Sequence, residues 1–252
     1  MKFTFLGTSH GTPSAERFCS CIMLEAGESI YILDAGAPLF DLLLRFGRDP
    51  EKVRSIFISH THGDHVNGLP RFIALMDSRP EYGGVDIHLP EQKVLDAIVN
   101  LVEAAAGRPL KRMNVRMHAV DETFRYEDEN IRLWLIPNGH LSGRRDTYDR
   151  PSYSMVIEAE GKRVIYTGDL STHLRCNDFP TIAIEEPSDL LICEMAHFEM
   201  HHVTPYLERC QTKQLCFTHV SGREGRMESI VAAQNDFAYP VVIVRDGDEI
   251  VL

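Results

Sequence analysis

Four metal-binding side chains stand within six residues of this chain, in the segment His60-Thr61-His62-Gly63-Asp64-His65. The segment follows an apolar run over residues 53–58, which predicts a buried strand. A strand end that opens into a loop rich in ligand side chains is a common place for a metal in an α/β protein. Two histidines two residues apart can reach one ion, while Asp64 and His65 can turn toward a second. The spacing therefore predicts a dinuclear centre in which each ion lowers the pKa of a bridging water.

The same segment, His-x-His-x-Asp-His, resembles the signature of the metallo-β-lactamase superfamily. Residues 5–9 are similar to the opening of its ribonuclease Z-like branch, and residues 33–36 are similar to an Asp-x-Gly turn of the family. Three later segments stand where the family carries further ligands: Asn138-Gly139-His140, Tyr166-Thr167-Gly168-Asp169 and Phe217-Thr218-His219. The resemblance implies an α/β fold, the αββα sandwich of two mixed β-sheets flanked by helices. Because the chain has no linker-like run, we expect a single domain over residues 1–252.

The resemblance also implies a ligand set for two divalent cations. His60, His62 and His140 are expected to hold the first cation, Asp64, His65 and His219 the second, and Asp169 is expected to bridge them. Mixed nitrogen and oxygen donors suit zinc first, with manganese or iron as alternatives. A further carboxylate, Asp34, is expected to fix the tautomer of a ligand imidazole or to cap the helix that begins near Pro38.

A second pair of residues bears on the reaction type. In ribonuclease Z-like enzymes a strand-end Glu works with a His of a His-x-Thr motif, and Glu194 and His202-Val203-Thr204 have this form. A carboxylate that raises the pKa of His202 would keep the ring protonated, as a general acid must be. The separation of His202 from His219 is shorter than in that branch by about one helical turn. His197 and His201 are therefore competing candidates for the same role.

Composition narrows the choice of partners and location. The net charge of −11 does not favour a long polyanion bound over a wide surface, although it says little about a small phosphate ester. The first residues lack a basic region followed by an apolar run, and no stretch approaches the ~18 apolar residues of a membrane span. We therefore expect a cytoplasmic protein without a membrane partner and with reduced cysteines. Cys19 and Cys21 leave open an additional structural zinc site.

Periodicity places most ligands at the ends of predicted strands. Strands over residues 163–166, 189–194 and 214–218 lead to Asp169, Glu194 and His219. Helices are predicted over residues 38–46, 69–76, 91–106 and 224–235. Residues 241–244 and 249–252 are predicted to form a closing hairpin on Asp246-Gly247, because Asp-Gly is a favourable turn dipeptide.

These observations predict a dinuclear-metal-dependent hydrolase, a phosphodiesterase acting on a small or cyclic nucleotide-like phosphodiester. A metal-bridging hydroxide would attack phosphorus, Asp64 would orient or deprotonate the water, and His202, supported by Glu194, would protonate the leaving oxygen. The main alternative is tRNA 3′-end processing by a ribonuclease Z. Enzymes of that branch hold the tRNA with a protruding arm rich in Gly and Pro, and residues 169–189 contain no such insertion. Hydrolysis of a carboxylic ester, thioester or lactam stays open, as does a non-catalytic metal or metabolite sensor. The resemblance alone also implies a homodimer.

Overall fold

The computed structural model describes residues 1–79, 84–111, 114–143, 149–221, 226–233 and 236–252. The chain forms two compact units. The first comprises Met1–Gly7, Gly11–Val120 and Asp246–Val251, and the second comprises Thr8–His10 and Asp121–Arg245, with Leu252. Each unit contains one mixed seven-stranded sheet and its own helices, as predicted. The single domain over residues 1–252 stays a prediction.

The first unit contains a sheet whose strands follow the order β14-β1-β2-β3-β4-β5-β6. The strands are β1 (Lys2–Gly7), β2 (Cys21–Ala26), β3 (Ser29–Ala35), β4 (Val53–Phe57), β5 (Val85–Leu89), β6 (Val115–Ala119) and β14 (Glu249–Val251). The helices are α1 (Leu39–Arg45), α2 (Gly63–Val66), α3 (Leu69–Asp77) and α4 (Gln92–Ala106). Neighbours from β14 to β3 pair antiparallel, and those from β3 to β6 pair parallel.

The core of the first unit follows from the apolar periodicity of its helices. In α4, Leu95, Ile98, Val99 and Val102 form one buried stripe, and the helix ends at Gly107 in a left-handed conformation with φ 63°. This stripe packs into one apolar cluster with residues of α1, α3 and one face of the sheet. The result confirms the helices predicted over residues 38–46, 69–76 and 91–106 to within a residue or two.

The second unit contains a sheet in the order β13-β12-β11-β10-β9-β8-β7. Its strands are β7 (Arg125–Glu127), β8 (Arg132–Pro137), β9 (Tyr153–Ala159), β10 (Lys162–Tyr166), β11 (Leu190–Met195), β12 (Leu215–Val220) and β13 (Val241–Ile243). Its helices are α5 (Ile182–Glu185), α6 (Met200–Leu207) and α7 (Arg226–Ala233). The neighbours β7 to β10 pair antiparallel, and β10 to β13 pair parallel.

The two units therefore repeat one topology. In each, an antiparallel set leads into a run of parallel strands, β3-β4-β5-β6 in the first unit and β10-β11-β12-β13 in the second. Parallel strands have their carboxyl ends at the same sheet edge, where α/β proteins place their ligand-binding loops. In each unit this edge is where the predicted functional side chains stand.

The predicted closing hairpin is wrong. β13 pairs parallel to β12 in the second unit, whereas β14 pairs antiparallel to β1 in the first. The Asp-Gly turn does form, but the Gly247 N–H donates to the carbonyl of Phe5 rather than closing a local hairpin. A two-stranded ribbon of three-residue strands is marginal alone, so each strand is more stable when it extends an existing sheet.

The helix predicted over residues 224–235 is present as α7, and residues 224, 225, 234 and 235 lie outside the described part of the chain. Across the described ranges, every helix is too short or too polar to cross a membrane.

Acidification is predicted to destabilise the first unit through His88 of β5. Its ring stacks between those of Phe57 and His118, with centroid separations of 5.2 and 5.0 Å. Burial, and then the charge of His118, lower the pKa of His88 from 6.5 to about 4. The unfolded chain binds this proton more tightly, so the stability contributed by the neutral ring is complete above about pH 6.5 and is lost as the pH falls toward 4. Urea unfolding of metal-free protein should lose about 2 kcal/mol through this group between pH 6.5 and 5.

The variant His88→Phe should remove most of this pH dependence, because a phenyl ring has no proton to bind. His118→Gln, on the neighbouring strand, is the matched control and should retain it, since His88 stays buried. An unchanged dependence of the unfolding free energy on pH in His88→Phe would show that other groups govern the acid response.

Candidate metal centre

The first ligand cluster (His60, His62, Asp64 and His65) lies on the loop after β4 and on α2. His60 and His65 are fully buried. The Nε2 atom of His60 lies 3.0 Å from the Nδ1 atom of His62. Two nitrogens on a tetrahedral zinc ion, each at ~2.0–2.1 Å from the metal, are separated by about 3.3 Å. This pair of rings therefore suits a single cation.

Asp34, at the end of β3, anchors this cluster. Its fully buried carboxylate accepts hydrogen bonds from the Ser59 backbone N–H (2.7 Å), the Ser59 hydroxyl (2.8 Å) and Nδ1 of His65 (2.8 Å). Because a carboxylate accepts, the hydrogen sits on Nδ1 of His65, and Nε2 carries the lone pair that a metal requires. The helix that begins after Pro38 receives no side-chain cap. Of the two roles expected for Asp34, the geometry supports the tautomer-fixing one.

Close backbone packing holds the metal loop against β3. A Cβ added to Gly36 would lie 2.7 Å from the carbonyl oxygen of Asp64, and one added to Gly68 would lie 2.7 Å from that of Ala35. The Gly68 N–H also donates to the Ala35 carbonyl at 2.8 Å. The glycine of the Asp-x-Gly turn is therefore required by the approach of the loop.

The two early cysteines do not complete a further metal site among the described residues. Both are free thiols, and no cysteine belongs to a group of side chains close enough to share a cation. Burial, followed by the charge of Asp64, raises the pKa of the Cys19 thiol, and burial raises that of Cys21 much further. Both are therefore neutral at physiological pH.

The second ligand cluster (His140, Asp169, His197 and His219) gathers around one carboxylate. Oδ2 of Asp169 lies 3.2 Å from Nε2 of His219 and 3.7 Å from both Nε2 of His140 and Nδ1 of His197. Asp169, His140 and His219 are almost fully buried. Asp169, His197 and His219 offer ligand atoms that all lie within 4.8 Å of one another. These donors also suit a divalent cation such as zinc.

Hydrogen bonds between loops fix the orientation of this cluster. Nδ1 of His140 donates to the carbonyl of Leu170 (3.1 Å), which leaves its Nε2 directed at Asp169. The carboxylate of Asp178 accepts from the backbone N–H groups of Gly139 (3.0 Å) and Ser171 (2.8 Å). Burial raises the pKa of Asp178, although these two bonds oppose the shift. Asp178 therefore connects the loop of His140 to the loop of Asp169 by hydrogen bonds. No sequence motif predicts this role.

Glu194 pairs with His197 rather than with His202. Its fully buried carboxylate accepts from Nδ1 of His197 (3.1 Å) and from the backbone N–H groups of Leu170 (3.0 Å) and Ala196 (2.6 Å). Burial alone would raise the pKa of Glu194, but the charge and hydrogen bond of His197 hold it below its usual value. The spacing Glu-x-x-His at the end of a predicted strand was the sequence signal for this pair.

His202 takes a different position from the one expected. It lies in the first turn of α6, where its Nδ1 accepts a hydrogen bond from the Glu199 backbone N–H at 3.3 Å. Desolvation, and then the neighbouring His201 and Arg175, lower its pKa, whereas the sequence prediction required a carboxylate to raise it. The helix begins between Glu194 and His202 and directs the ring toward the helix N-terminus. This departure corrects the expected Glu194–His202 partnership.

Comparison with known proteins identifies the family. Residues 1–203 match the model of the family described as anti-Pycsar protein Apyc1. The chain belongs to the anti-Pycsar protein Apyc1 family. A ribonuclease Z of Natronomonas pharaonis is 24% identical over an alignment that covers 99% of this chain and 97% of that protein. A ribonuclease Z of Prochlorococcus marinus is 32% identical over 166 residues, 64% of this chain, so the match spans about half (50%) of that relative.

Solved structures show the same fold. The metallo-β-lactamase fold protein YhfI of Bacillus subtilis superposes with a TM-score of 0.79 at 17% identity, covering 99% of each chain. The predicted superfamily, its ribonuclease Z-like branch and the αββα fold class are confirmed. The relatives also agree with the predicted class of metal-dependent hydrolase.

The contact between Asp34 and His65 generates a test of the first ligand cluster. In Asp34→Asn, one of the two side-chain positions that now accept becomes an NH2 donor. The backbone N–H of Ser59 cannot change its role, so we expect the NH2 group to face His65 and move its hydrogen to Nε2. Zinc affinity should fall about 10- to 100-fold. Competition with a chromophoric chelator measures the affinity, and 15N NMR of the ring reports the tautomer.

Ser59→Ala is the control for this variant, because it removes one donor to Asp34 while the bond to His65 remains. It should keep the His65 tautomer, and only that readout serves as the control, because the Ser59 hydroxyl also lies 3.1 Å from Nδ1 of His60. A normal His65 tautomer in Asp34→Asn would contradict the assigned role of the carboxylate.

Proposed function

We propose that the protein is a metal-dependent phosphodiesterase that hydrolyses a small or cyclic nucleotide-like phosphodiester. The observation that carries the proposal is the Asp169 carboxylate surrounded by three imidazoles, one of which, His197, is held by the buried Glu194. In this proposal two cations, zinc before manganese or iron, are held by the predicted ligands. These are His60, His62 and His140 for one cation, Asp64, His65 and His219 for the other, and Asp169 between them.

The chain's own residues supply positioning and proton transfer. Bound cations would lower the pKa of a shared water molecule and offset negative charge on the phosphate oxygens. The Asp64 carboxylate, which is 13% exposed, would orient or deprotonate the water. His197 would then donate a proton from Nε2 to the leaving oxygen, since its Nδ1 is bound to Glu194. The contact with a carboxylate favours the protonated ring that a general acid needs.

Two observations favour a small substrate over a precursor tRNA. The net charge of −11 opposes binding of a long polyanion over a broad surface. The alignment with the full-length ribonuclease Z relative runs over 308 positions, more than the 252 residues of this chain, so that relative carries insertions that this chain lacks. Its similarity over nearly the whole chain nevertheless makes ribonuclease Z activity the second candidate.

A substrate panel tests the proposed activity. Metal content is measured first, followed by turnover of bis-p-nitrophenyl phosphate, 2′,3′- and 3′,5′-cyclic nucleotides, a precursor tRNA, a lactam and a thioester. We expect turnover of the small phosphodiesters, and we expect Asp64→Ala to abolish it, because the water loses its carboxylate partner. Cleavage of the precursor tRNA alone would favour ribonuclease Z, and turnover of the lactam or thioester alone would favour an acyl hydrolase. A metal-loaded protein inactive on the whole panel would favour a sensor.

The general acid is tested by comparing leaving groups. His197→Ala should slow hydrolysis of a cyclic nucleotide about 100-fold or more and that of a p-nitrophenyl ester far less, because p-nitrophenolate leaves without a proton. His202→Ala is the matched comparison and should affect both substrates weakly. Equal losses on the two substrates in His197→Ala would instead indicate that His197 binds metal or supports the fold. A selective loss in His202→Ala would restore the role first expected for that residue.

A further inference from the structure

The edge formed by the strand ends of the first unit carries a buried acid that the proposed mechanism does not use. In the second unit, the ends of β10, β11 and β12 lead to Asp169, Glu194 and His219. In the first unit, the corresponding strands β3 and β4 lead to Asp34 and the metal loop. The third strand, β5, leads to Glu91. The repeated topology thus places Glu91 at the position where the second unit has a ligand.

The burial of the Glu91 side chain is not explained by capping of the helix that it precedes. It occupies the N-cap position of α4, where Asn, Asp, Ser and Thr are preferred, yet its side chain makes no capping hydrogen bond. The Val94 and Leu95 N–H groups are satisfied by the backbone carbonyl of Glu91 instead. The residue is only 6% exposed, and a carboxylate is rarely buried without a specific partner.

The partner of this carboxylate is the metal loop. Oε1 of Glu91 accepts a hydrogen bond from the hydroxyl of Thr61, the residue between His60 and His62. Thr61 is itself buried, at 7% exposure. Oε2 of Glu91 lies 3.3 Å from the Nζ atom of Lys93, whose side chain is half exposed. The carboxylate is thus held from the solvent side by a cation and is directed inward at the loop.

We propose that Glu91 is a positioning residue of the metal loop, which holds His60 and His62 at the separation required by one cation. Thr61 is β-branched, so fixing its hydroxyl fixes its χ1 angle and restrains the backbone of both neighbours. The two ring nitrogens, 3.0 Å apart, are then set before a metal arrives. Such supporting contacts commonly change metal affinity about 10- to 100-fold. The inference rests on the proposed metal binding.

The experiment compares zinc affinity in Thr61→Val, Thr61→Ser, Glu91→Ala and Glu91→Gln with that of the full chain, by competition with a chromophoric chelator. Thr61→Val removes the hydroxyl at constant shape, and we expect the affinity to fall about 10- to 100-fold. Glu91→Ala should cause a similar loss, and the double variant should be little worse than either single one, because both remove the same contact. Thr61→Ser keeps the hydroxyl and Glu91→Gln keeps an acceptor, so both should stay within about threefold of the parent.

A separate measurement distinguishes positioning from general stability. Asp77→Asn is the matched control: Asp77 is a buried carboxylate of the same unit that pairs with Arg108 (3.0 Å) at the end of α3. It should lower the melting temperature of the metal-free protein and leave zinc affinity unchanged. Thr61→Val should instead lower the increase in melting temperature that zinc produces.

The outcomes separate this inference from the proposed function. If the parent chain binds no zinc, the proposed function fails and Glu91 loses its role with it. If the parent binds zinc and Thr61→Val binds it equally well, the positioning role is overturned while the proposed function stands. If Glu91→Ala does not fold, the Thr61→Val and Thr61→Ser pair still decides the question, since both variants retain the buried acid.

Discussion

In each unit, the conformation at a strand end depends on a buried carboxylate that accepts hydrogen bonds from the backbone N–H groups of loop residues. Asp34 accepts from the N–H of Ser59, and Glu194 accepts from those of Leu170 and Ala196. A fully buried acid costs free energy unless such donors surround it, so the loop that supplies the N–H groups is held in one conformation. Each carboxylate also orients a histidine: Oδ2 of Asp34 accepts from Nδ1 of His65, and Oε1 of Glu194 accepts from Nδ1 of His197 as well as from the Leu170 N–H. The same interaction thus stabilises the strand ends and directs the ring nitrogens.

The repeated sheet topology explains why this arrangement occurs twice. A strand within a parallel run is commonly buried on both faces, and Tyr31, Leu33, Tyr166 and Ile192 are all fully or almost fully buried. Polar chemistry is then confined to the carboxyl ends of the strands, where the backbone leaves the sheet. Each cluster stands on loops that leave buried, hydrogen-bonded strands of its unit, and such support limits the reorganisation that a bound cation would require.

The sequence predicted the features that depend on residues close together in the chain. Its predictions failed where a strand or side chain pairs with a segment that is distant in sequence. The four ligands of residues 60–65 lie in one short segment, so their proximity follows from chain connectivity. The helix α4 follows from its apolar period and from Gly107. In contrast, β13 and β14 each pair with a strand far away in sequence, and a turn dipeptide carries no information about those partners. The pairing of Glu194 with His197 rather than with His202 depended on where α6 begins. Glu91 and Asp178 belong to no motif, because their contacts join separate loops.

One residue at each cluster has a backbone conformation that its surrounding contacts must stabilise. Asp34 and His219 are non-glycine residues with φ of 59° and 52°, a left-handed conformation that costs such residues about 1 kcal/mol or more. A glycine would adopt it more easily but would offer neither a carboxylate nor an imidazole. The side chain is therefore retained against a backbone penalty, which the surrounding contacts must offset. For Asp34 those contacts are the three hydrogen bonds to Ser59 and His65, so the strained conformation and the fixed tautomer have one structural cause.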